Sequence, residues 1–530
     1  MNRRTTTPGA PNVATRRGVL KGAAAAGALS VLPRGAARAS TEQGGVETAG
    51  PDLEQRLDWF LDAKIGMFVH WGPYSVAGVE ASWPIMVPGL TALLGEDQLI
   101  DEADYVALAK QFNPESFRPR EWIAFARRAG MRYLVVTAKH HDGYCLFDAP
   151  GTDYKSTKGS SGRDLMMELA EACEAESFPL GFYFSPPDMH DPGYRDSTRP
   201  VRDNWTGEPD RAEWSTFLDR MEAQLEALLS NYGAVRVLWF DGLFEHERFE
   251  PERVVAAVHR LQPECLLNDR LGAAHADYVT PEQAVPEGVL VRREGPEPEV
   301  TATQFRAILE MIASGTDPEA FQRLLEQSMA VRFPSEPLPS PDRFQPWEAC
   351  MTVGATWAHD PLHRALKSPA ELLQIVLDVT SRGGNLLLNL GPGPDGRLPK
   401  PECERALVLG EWLERNGEAI YGSTYGRFPG LPDVRSTRSR RPSSTASRDY
   451  LVPREANGNV DALRLKGAGT TVAPNVRAYR LEDGMDVEVA REKDAVVLRM
   501  PSEPPRGAPH ELSRPVFVLE GDPEDSPSRA

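Results

Sequence analysis

Lys139, His140, His141 and Asp142 follow directly on the strand-forming run Tyr133-Leu-Val-Val-Thr137, with only Ala138 between. An apolar run with no polar alternation suits a strand buried on both faces, as in a parallel sheet, and such sheets gather ligands at the carboxyl ends of their strands. A second run, Val235-Arg-Val-Leu-Trp-Phe240, ends in Asp241 and Gly242. A carboxylate that ends a buried strand is costly unless it is hydrogen-bonded, paired or functional. Trp239, two residues earlier, points to the same side of that strand. A carboxylate beside an indole suits a sugar ring, whose C–H face packs on the aromatic surface while the carboxylate attacks or stabilises the anomeric carbon. A structural Asp capping the next helix has the same local sequence.

Acid–base chemistry at a sugar needs a second carboxyl group. Two candidates stand in suitable contexts, Glu282 in Tyr278-Val-Thr-Pro-Glu-Gln283 and Glu348 in Pro346-Trp-Glu-Ala-Cys350. The histidines do not form a metal site by spacing, because a strand-borne pair needs His-x-His and a helical one His-Glu-x-x-His. Adjacent His140 and His141 cannot both face inward from a regular strand, so the strand must end there and the backbone turn. With His70, at the end of Ile65-Gly-Met-Phe-Val69, they are donors suited to the hydroxyls of a polyol.

The elements that carry these residues repeat one theme between Leu57 and Leu390: a short apolar run, a polar residue at its end, then a helix-like stretch. Leu180-Gly-Phe-Tyr-Phe-Ser185 carries Tyr183, Cys265-Leu-Leu-Asn268 leads to Arg270, and Asn385-Leu-Leu-Leu-Asn389 ends in Asn389. Helical periodicity fills the intervals, over Pro119 to Ala129 and Trp214 to Leu229. The pattern predicts an α/β fold with a (β/α)8-like, TIM-type barrel, of which six strands are read from the chain and the rest inferred. Two segments break the theme. Residues 287–340 look like an insertion between late strands, and residues 431–449, rich in Arg and Ser, read as a linker or loop. Beyond them alternating runs over 450–521 predict a small C-terminal antiparallel β-sandwich domain, so that the catalytic barrel spans 52–430.

Residues 1–39 contain seven Lys or Arg and no acid. Thr15-Arg-Arg-Gly-Val-Leu-Lys21, a weakly apolar stretch and Ala37-Arg-Ala39 have the form of a twin-arginine export signal with a cleavage box. The expected location is periplasmic or extracellular. The whole chain carries −18. Without the leader, 52 basic residues face 77 acidic ones, a net of −25, which makes nucleic acid and anionic membrane surfaces poor partners. No other stretch is long and apolar enough to insert in a bilayer. Five widely spaced cysteines without a Cys-x-x-Cys pair form neither a disulfide framework nor a zinc site. A homo-oligomer stays open.

Taken together, Trp59-Phe-Leu-Asp-Ala-Lys-Ile-Gly-Met-Phe-Val-His-Trp-Gly72, Tyr133 to Asp148, Leu238-Trp-Phe-Asp-Gly242, Asn268-Asp-Arg270, Trp347-Glu-Ala-Cys350 and Asn385-Leu-Leu-Leu-Asn-Leu-Gly-Pro392 resemble the α-L-fucosidases of glycoside hydrolase family 29 over about residues 52–425. The resemblance implies hydrolysis of terminal α-L-fucose from glycans or glycoconjugates, with retention through a covalent fucosyl-enzyme and without a metal or organic cofactor. It makes Asp241 the nucleophile and His70, His140, His141, Tyr183, Trp239 and Arg270 the sugar-binding residues. Glu348 or Glu282 is the acid/base, with Glu348 preferred. The chain departs from the family at Ser82-Trp83, where many relatives have Glu before the Trp and where Glu80 here lies two residues earlier. Trp83 stays a pocket candidate, and fine specificity is open to change. A galactoside, with similar hydroxyl geometry, is the alternative substrate, and a carbohydrate-binding protein without catalysis the alternative class.

Overall fold

The computed structural model describes residues 52–86, 91, 95–194, 209–242, 246–294, 333–428 and most of 431–521. The leader and the centre of the 287–340 segment lie outside the described residues. Seven parallel strands form one curled sheet: β1 (Ile65–Val69), β2 (Tyr133–Lys139), β3 (Leu180–Phe184), β4 (Val235–Phe240), β5 (Leu266–Leu267), β8 (Glu348–Thr352) and β9 (Asn385–Leu390). Their order around the sheet is β5-β4-β3-β2-β1-β9-β8. A two-stranded hairpin of β6 (Val289–Leu290) and β7 (Ser335–Glu336) stands apart. β8 is the strand that sequence patterning passed over, because its first residue is Glu348.

No ladder joins β5 to β8. The gap is filled by residues 277–283, which bridge to β5 at Asn268↔Tyr278 and to β8 at Val279↔Trp347 and Glu282↔Cys350. The Val279 and Glu348 amides donate across this seam to Pro346 and Val279, and Cys350 N donates to Pro281 O. Pro281 has no N–H to give, so the segment lines the barrel without becoming a regular strand.

Strand alternation sorts the apolar residues into two cores. Ile65, Met67, Leu134, Val136, Phe182 and Leu238 face the helices. Phe68, Tyr133, Val135, Tyr183, Val237, Trp239, Cys350 and Leu387 face the barrel axis. Burial on both faces removes the polar alternation, which is why these strands read as unbroken apolar runs. Gly66 is required by close approach: a Cβ there would lie 2.4 Å from the Tyr133 ring.

The C-terminal part comprises a five-stranded sheet, in the order β10 (Ser423–Tyr425), β11 (Val434–Ser439), β12 (Ser447–Pro453), β17 (Phe517–Gly521) and β14 (Arg477–Arg480), and a three-stranded one, in the order β13 (Ala462–Lys466), β16 (Ala495–Arg499) and β15 (Glu488–Arg491), all antiparallel. Their facing side chains, among them Val434, Leu451, Phe517, Leu465, Val496 and Leu498, share one apolar cluster, as in a sandwich. The Arg/Ser-rich stretch 431–449 corrects the expectation of a linker, since β11 (Val434–Ser439) lies inside the larger sheet and β12 (Ser447–Pro453) begins there. Its arginines are ion-paired: Arg435 to Asp378, Arg440 to Asp58 and Asp62, and the more exposed Arg441 to the same two acids. These pairs tie the sheet to the barrel helices Leu53–Ala63 and Pro369–Thr380. No helix of the described residues is long and apolar enough to cross a membrane.

Candidate active site

Asp241 leaves β4 at the carboxyl end of the barrel with 18% of its side chain exposed. Its Oδ1 accepts from Arg270 Nη1 at 2.9 Å, and its Oδ2 accepts from the Tyr183 hydroxyl, also at 2.9 Å. Arg270 is fully enclosed and uses its second terminal nitrogen on Glu282, whose Oε2 accepts from Nη2 at 2.9 Å. Thr280 Oγ1 accepts from Arg270 Nε at 3.1 Å, and Thr280 is itself fixed by Asp269 Oδ1. One guanidinium therefore holds two carboxylates, one from β4 and one from the irregular seam, and the neighbouring acids keep it charged.

The histidines converge because β2 ends at Lys139 with a register shift against β3. His140 and His141 then lie 4.2 Å apart, ring to ring, on the same side. His140 stacks on Tyr183 at 5.2 Å, and its Nδ1 meets Ser82 Oγ at 2.5 Å. His141 Nδ1 meets Ser185 Oγ at 2.6 Å while Ser185 donates to Pro187 O, so His141 Nδ1 must be the donor. Its Nε2 then presents a lone pair 3.4 Å from the Tyr183 hydroxyl and 3.6 Å from Asp241 Oδ2. Gly242 makes room for this ring, since a Cβ there would lie 2.5 Å from it at a φ of +75°. His70 Nδ1 donates to Asn389 Oδ1 at 2.7 Å, and Asn389 is oriented by donating to Trp357 O.

Burial lowers His70 and His141 to about 4 and His140 well below its ordinary value. All three are neutral near pH 7. The expectation of histidine donors is corrected for His70 and His141: the ring nitrogen each has left is an acceptor. Asp142, the fourth member of the cluster, is turned away. It accepts from Tyr105 and from the Tyr144 amide, and burial raises it to about 7.

Phe68, Tyr183, Trp239 and Trp357 form a continuous aromatic wall around His70, with Phe68 5.2 Å from Trp239 and 6.0 Å from Trp357. Trp83 opens the short helix Trp83–Met86 and packs in the same cluster. Trp357 was missed by sequence reading because it sits in a loop without periodicity, and Ser82 and Ser185, both visible in the sequence motifs, gave no sign that they meet His140 and His141. Asn389 carried a signal as a polar strand end. Glu80 does not replace a glutamate at position 82: its carboxylate accepts from the Trp357 amide at 2.8 and 3.0 Å.

Glu348 is placed differently from Glu282. It opens β8 at the amino end of the barrel, with no exposure, and accepts from the Tyr133 hydroxyl and, at 3.2 Å, from Trp239 Nε1. The Trp239 indole lies between it and Arg270, whose Cζ is 5.1 Å from that ring. Both Glu348 oxygens are committed, and the preference for it as acid/base has no geometric support. Among the described residues no group of three or more His, Cys, Asp or Glu side chains is arranged to hold a metal ion. All five cysteines are free thiols.

A parallel barrel with two carboxylates, neutral imidazoles and an aromatic wall at the carboxyl ends of its strands has the architecture of a glycoside hydrolase. A family model described as Alpha-L-fucosidase matches residues 36–294 and 316–418. The tissue alpha-L-fucosidase of Homo sapiens is 24% identical over 484 residues, covering 87% of this chain and 89% of its own, and the alpha-L-fucosidase of Dictyostelium discoideum is 25% identical, covering 70% and 73%. Among solved structures, alpha-L-fucosidase isoenzyme 1 from Paenibacillus thiaminolyticus aligns with a TM-score of 0.69 at 27% identity, over 89% of this chain and all of that one. A Bacteroides thetaiotaomicron GH29 alpha-L-fucosidase trapped as a covalent intermediate aligns with a TM-score of 0.65 at 22% identity, over 90% and 98%. The chain belongs to the alpha-L-fucosidase family, glycoside hydrolase family 29.

Proposed function

We propose that the protein is a retaining exo-α-L-fucosidase that removes terminal α-L-fucose from glycans or glycoconjugates. The observation that carries this reading is Arg270, whose two terminal nitrogens each hold one carboxylate, Asp241 and Glu282, at 2.9 Å. A retaining mechanism needs two carboxyl groups about 5 Å apart, and the shared cation gathers Asp241 and Glu282 at one site, which supports a retaining pair.

In the first step the Asp241 carboxylate attacks the anomeric carbon while Glu282, which enters the step as the neutral acid with its second oxygen protonated, gives that proton to the departing glycosidic oxygen. In the second, Glu282 takes a proton from water, which attacks the same carbon and releases fucose and free Asp241. Arg270 and Tyr183 fix the plane of the nucleophile. His70 and His141 accept from sugar hydroxyls, and the corner of Phe68, Trp239 and Trp357 offers apolar surface suited to a methyl group where a galactoside has a hydroxymethyl.

Release of a chromophore from α-L-fucoside and galactoside substrates tests the assignment. Fucoside turnover with net retention by NMR supports it. Preference for the galactoside, inversion, or sugar binding without turnover each overturns it. We also propose export by the twin-arginine route; cell fractionation of a strain carrying Arg16→Lys and Arg17→Lys should trap the protein in the cytoplasm.

A further inference from the structure

A carboxyl group enclosed at Glu348 calls for a reason, because burial penalises it and an apolar residue would fill the place at lower cost. Burial raises its pKa to about 7 against the pull of the Tyr133 and Trp239 hydrogen bonds, which favour the charged form. What the carboxyl offers is acceptors. An indole N–H can only donate, and the backbone carbonyls along a parallel ladder are already used by the sheet. Oε1 takes the Trp239 N–H, while Oε2 is held by Tyr133, a residue packed into the space that Gly66 leaves.

The opposite side of Trp239 supports the sugar site. Its ring stacks on Tyr183 at 5.5 Å and 15° and lies 5.1 Å under the Arg270 guanidinium. Tyr183 and Arg270 are the two donors to Asp241. Rotation of the indole would shift both. The hydrogen bond at its far edge is what fixes that rotation.

We propose that Glu348 is a positioning residue that locks Trp239 as the floor of the sugar site and thereby sets affinity for the sugar, without exchanging a proton with substrate. The proposal rests on the fucosidase reading for the choice of test substrate. Either protonation state of the carboxyl serves, since a neutral acid still accepts from the indole and can donate to the Tyr133 oxygen.

The test compares Glu348→Leu, Glu348→Gln, Trp239→Phe and the Trp239→Phe/Glu348→Leu double variant, with α-L-fucosides of good and poor leaving groups. Loss of one buried hydrogen bond should lower kcat/KM about tenfold in Glu348→Leu, with KM raised as the floor of the sugar site loosens, kcat lowered as the donors to Asp241 shift, and the same factor on good and poor leaving groups. Glu348→Gln, whose amide oxygen still accepts from the indole, should restore KM and keep the alkaline limb of the pH profile. In the Trp239→Phe background the Leu substitution should add less than about twofold, because its partner is gone. The Trp239 indole N–H resonance, assigned by its absence in Trp239→Phe, should be slow to exchange in the wild type and Glu348→Gln and fast in Glu348→Leu.

A wild-type KM in Glu348→Leu, an additive double variant, or a loss that grows with a poorer leaving group would each overturn the proposal. If the Leu variant does not fold, Tyr133→Phe, which frees Oε2, should raise KM about threefold, and no change would count against it. Absence of fucoside turnover in the wild type would defeat the fucosidase reading and leave the indole resonance to decide the positioning role.

Discussion

Two glutamates meet the barrel axis in this protein, and they teach different things. Glu282 sits on an irregular segment, 7% exposed, and shares a guanidinium with Asp241. Glu348 sits on a regular strand, fully enclosed, and serves an indole and a phenol. Their surroundings are alike in one respect, since each carboxyl group accepts from a buried donor. Access and the partner they share with the nucleophile candidate separate them. Residue type alone does not make an acid catalyst; the path of a substrate oxygen to it does.

The comparison can be broken most severely at Asp241. Asp241→Ala should lower kcat/KM about 10⁴-fold or more, with turnover returning on addition of azide. Activity close to wild type would remove the nucleophile from the upper end of the barrel altogether. Glu282→Ala should cost about 10²- to 10³-fold on a poor leaving group and far less on a good one. The reverse assignment, with that leaving-group dependence in Glu348→Ala, would exchange the roles of the two residues.

Arg270→Met tests the shared cation. Leaving two carboxylates beside an apolar side chain should destabilise the fold by about 3–5 kcal/mol in chemical denaturation, in addition to the loss of activity. A smaller change comes from pH. Burial holds His70 and His141 at about 4 rather than their ordinary 6.5, so each stays an acceptor until the medium is well below neutrality. Affinity for L-fucose, itself uncharged, should be flat from pH 8 to about 5 and fall as the pH drops through about 4, as calorimetry would record. A midpoint near 6.5 would mean that these rings are solvated. The smallest expected effect is Glu348→Gln, with kcat/KM within about twofold of wild type on either leaving group.

Much of this site was legible in the sequence because β-strands announce their ends. His70, Asp241 and Asn389 each close an apolar run, and a strand buried on both faces can place polar groups only where the run stops. The turn after Lys139, and hence the convergence of two adjacent histidines, followed from the alternation of side chains along a strand. What was hidden lies where order comes from distant contacts. Trp357 is fixed by Glu80 and Asn389 across the barrel mouth, and nothing near it in the chain foretells that. β11 was concealed because an arginine of the strand that looks solvated, Arg435, is paired with a helix acid, Asp378. Glu348 opens β8 at the amino end of the barrel while Glu282 lies on the irregular seam, a difference that stayed hidden because β8 itself had escaped notice.

The seam at residues 277–283 bears on how such an enzyme can be altered. Asp241 follows a strand bonded on both flanks, where a slip of one residue would turn every inward side chain outward. Glu282 rides on a stretch held by three isolated bridges and interrupted by Pro281. Insertions or grafts in that stretch can re-aim one carboxylate while the other keeps its register. The barrel thus holds one carboxylate in a fixed register and the other on a stretch without regular pairing, so that a change in that stretch reaches Glu282 without moving Asp241.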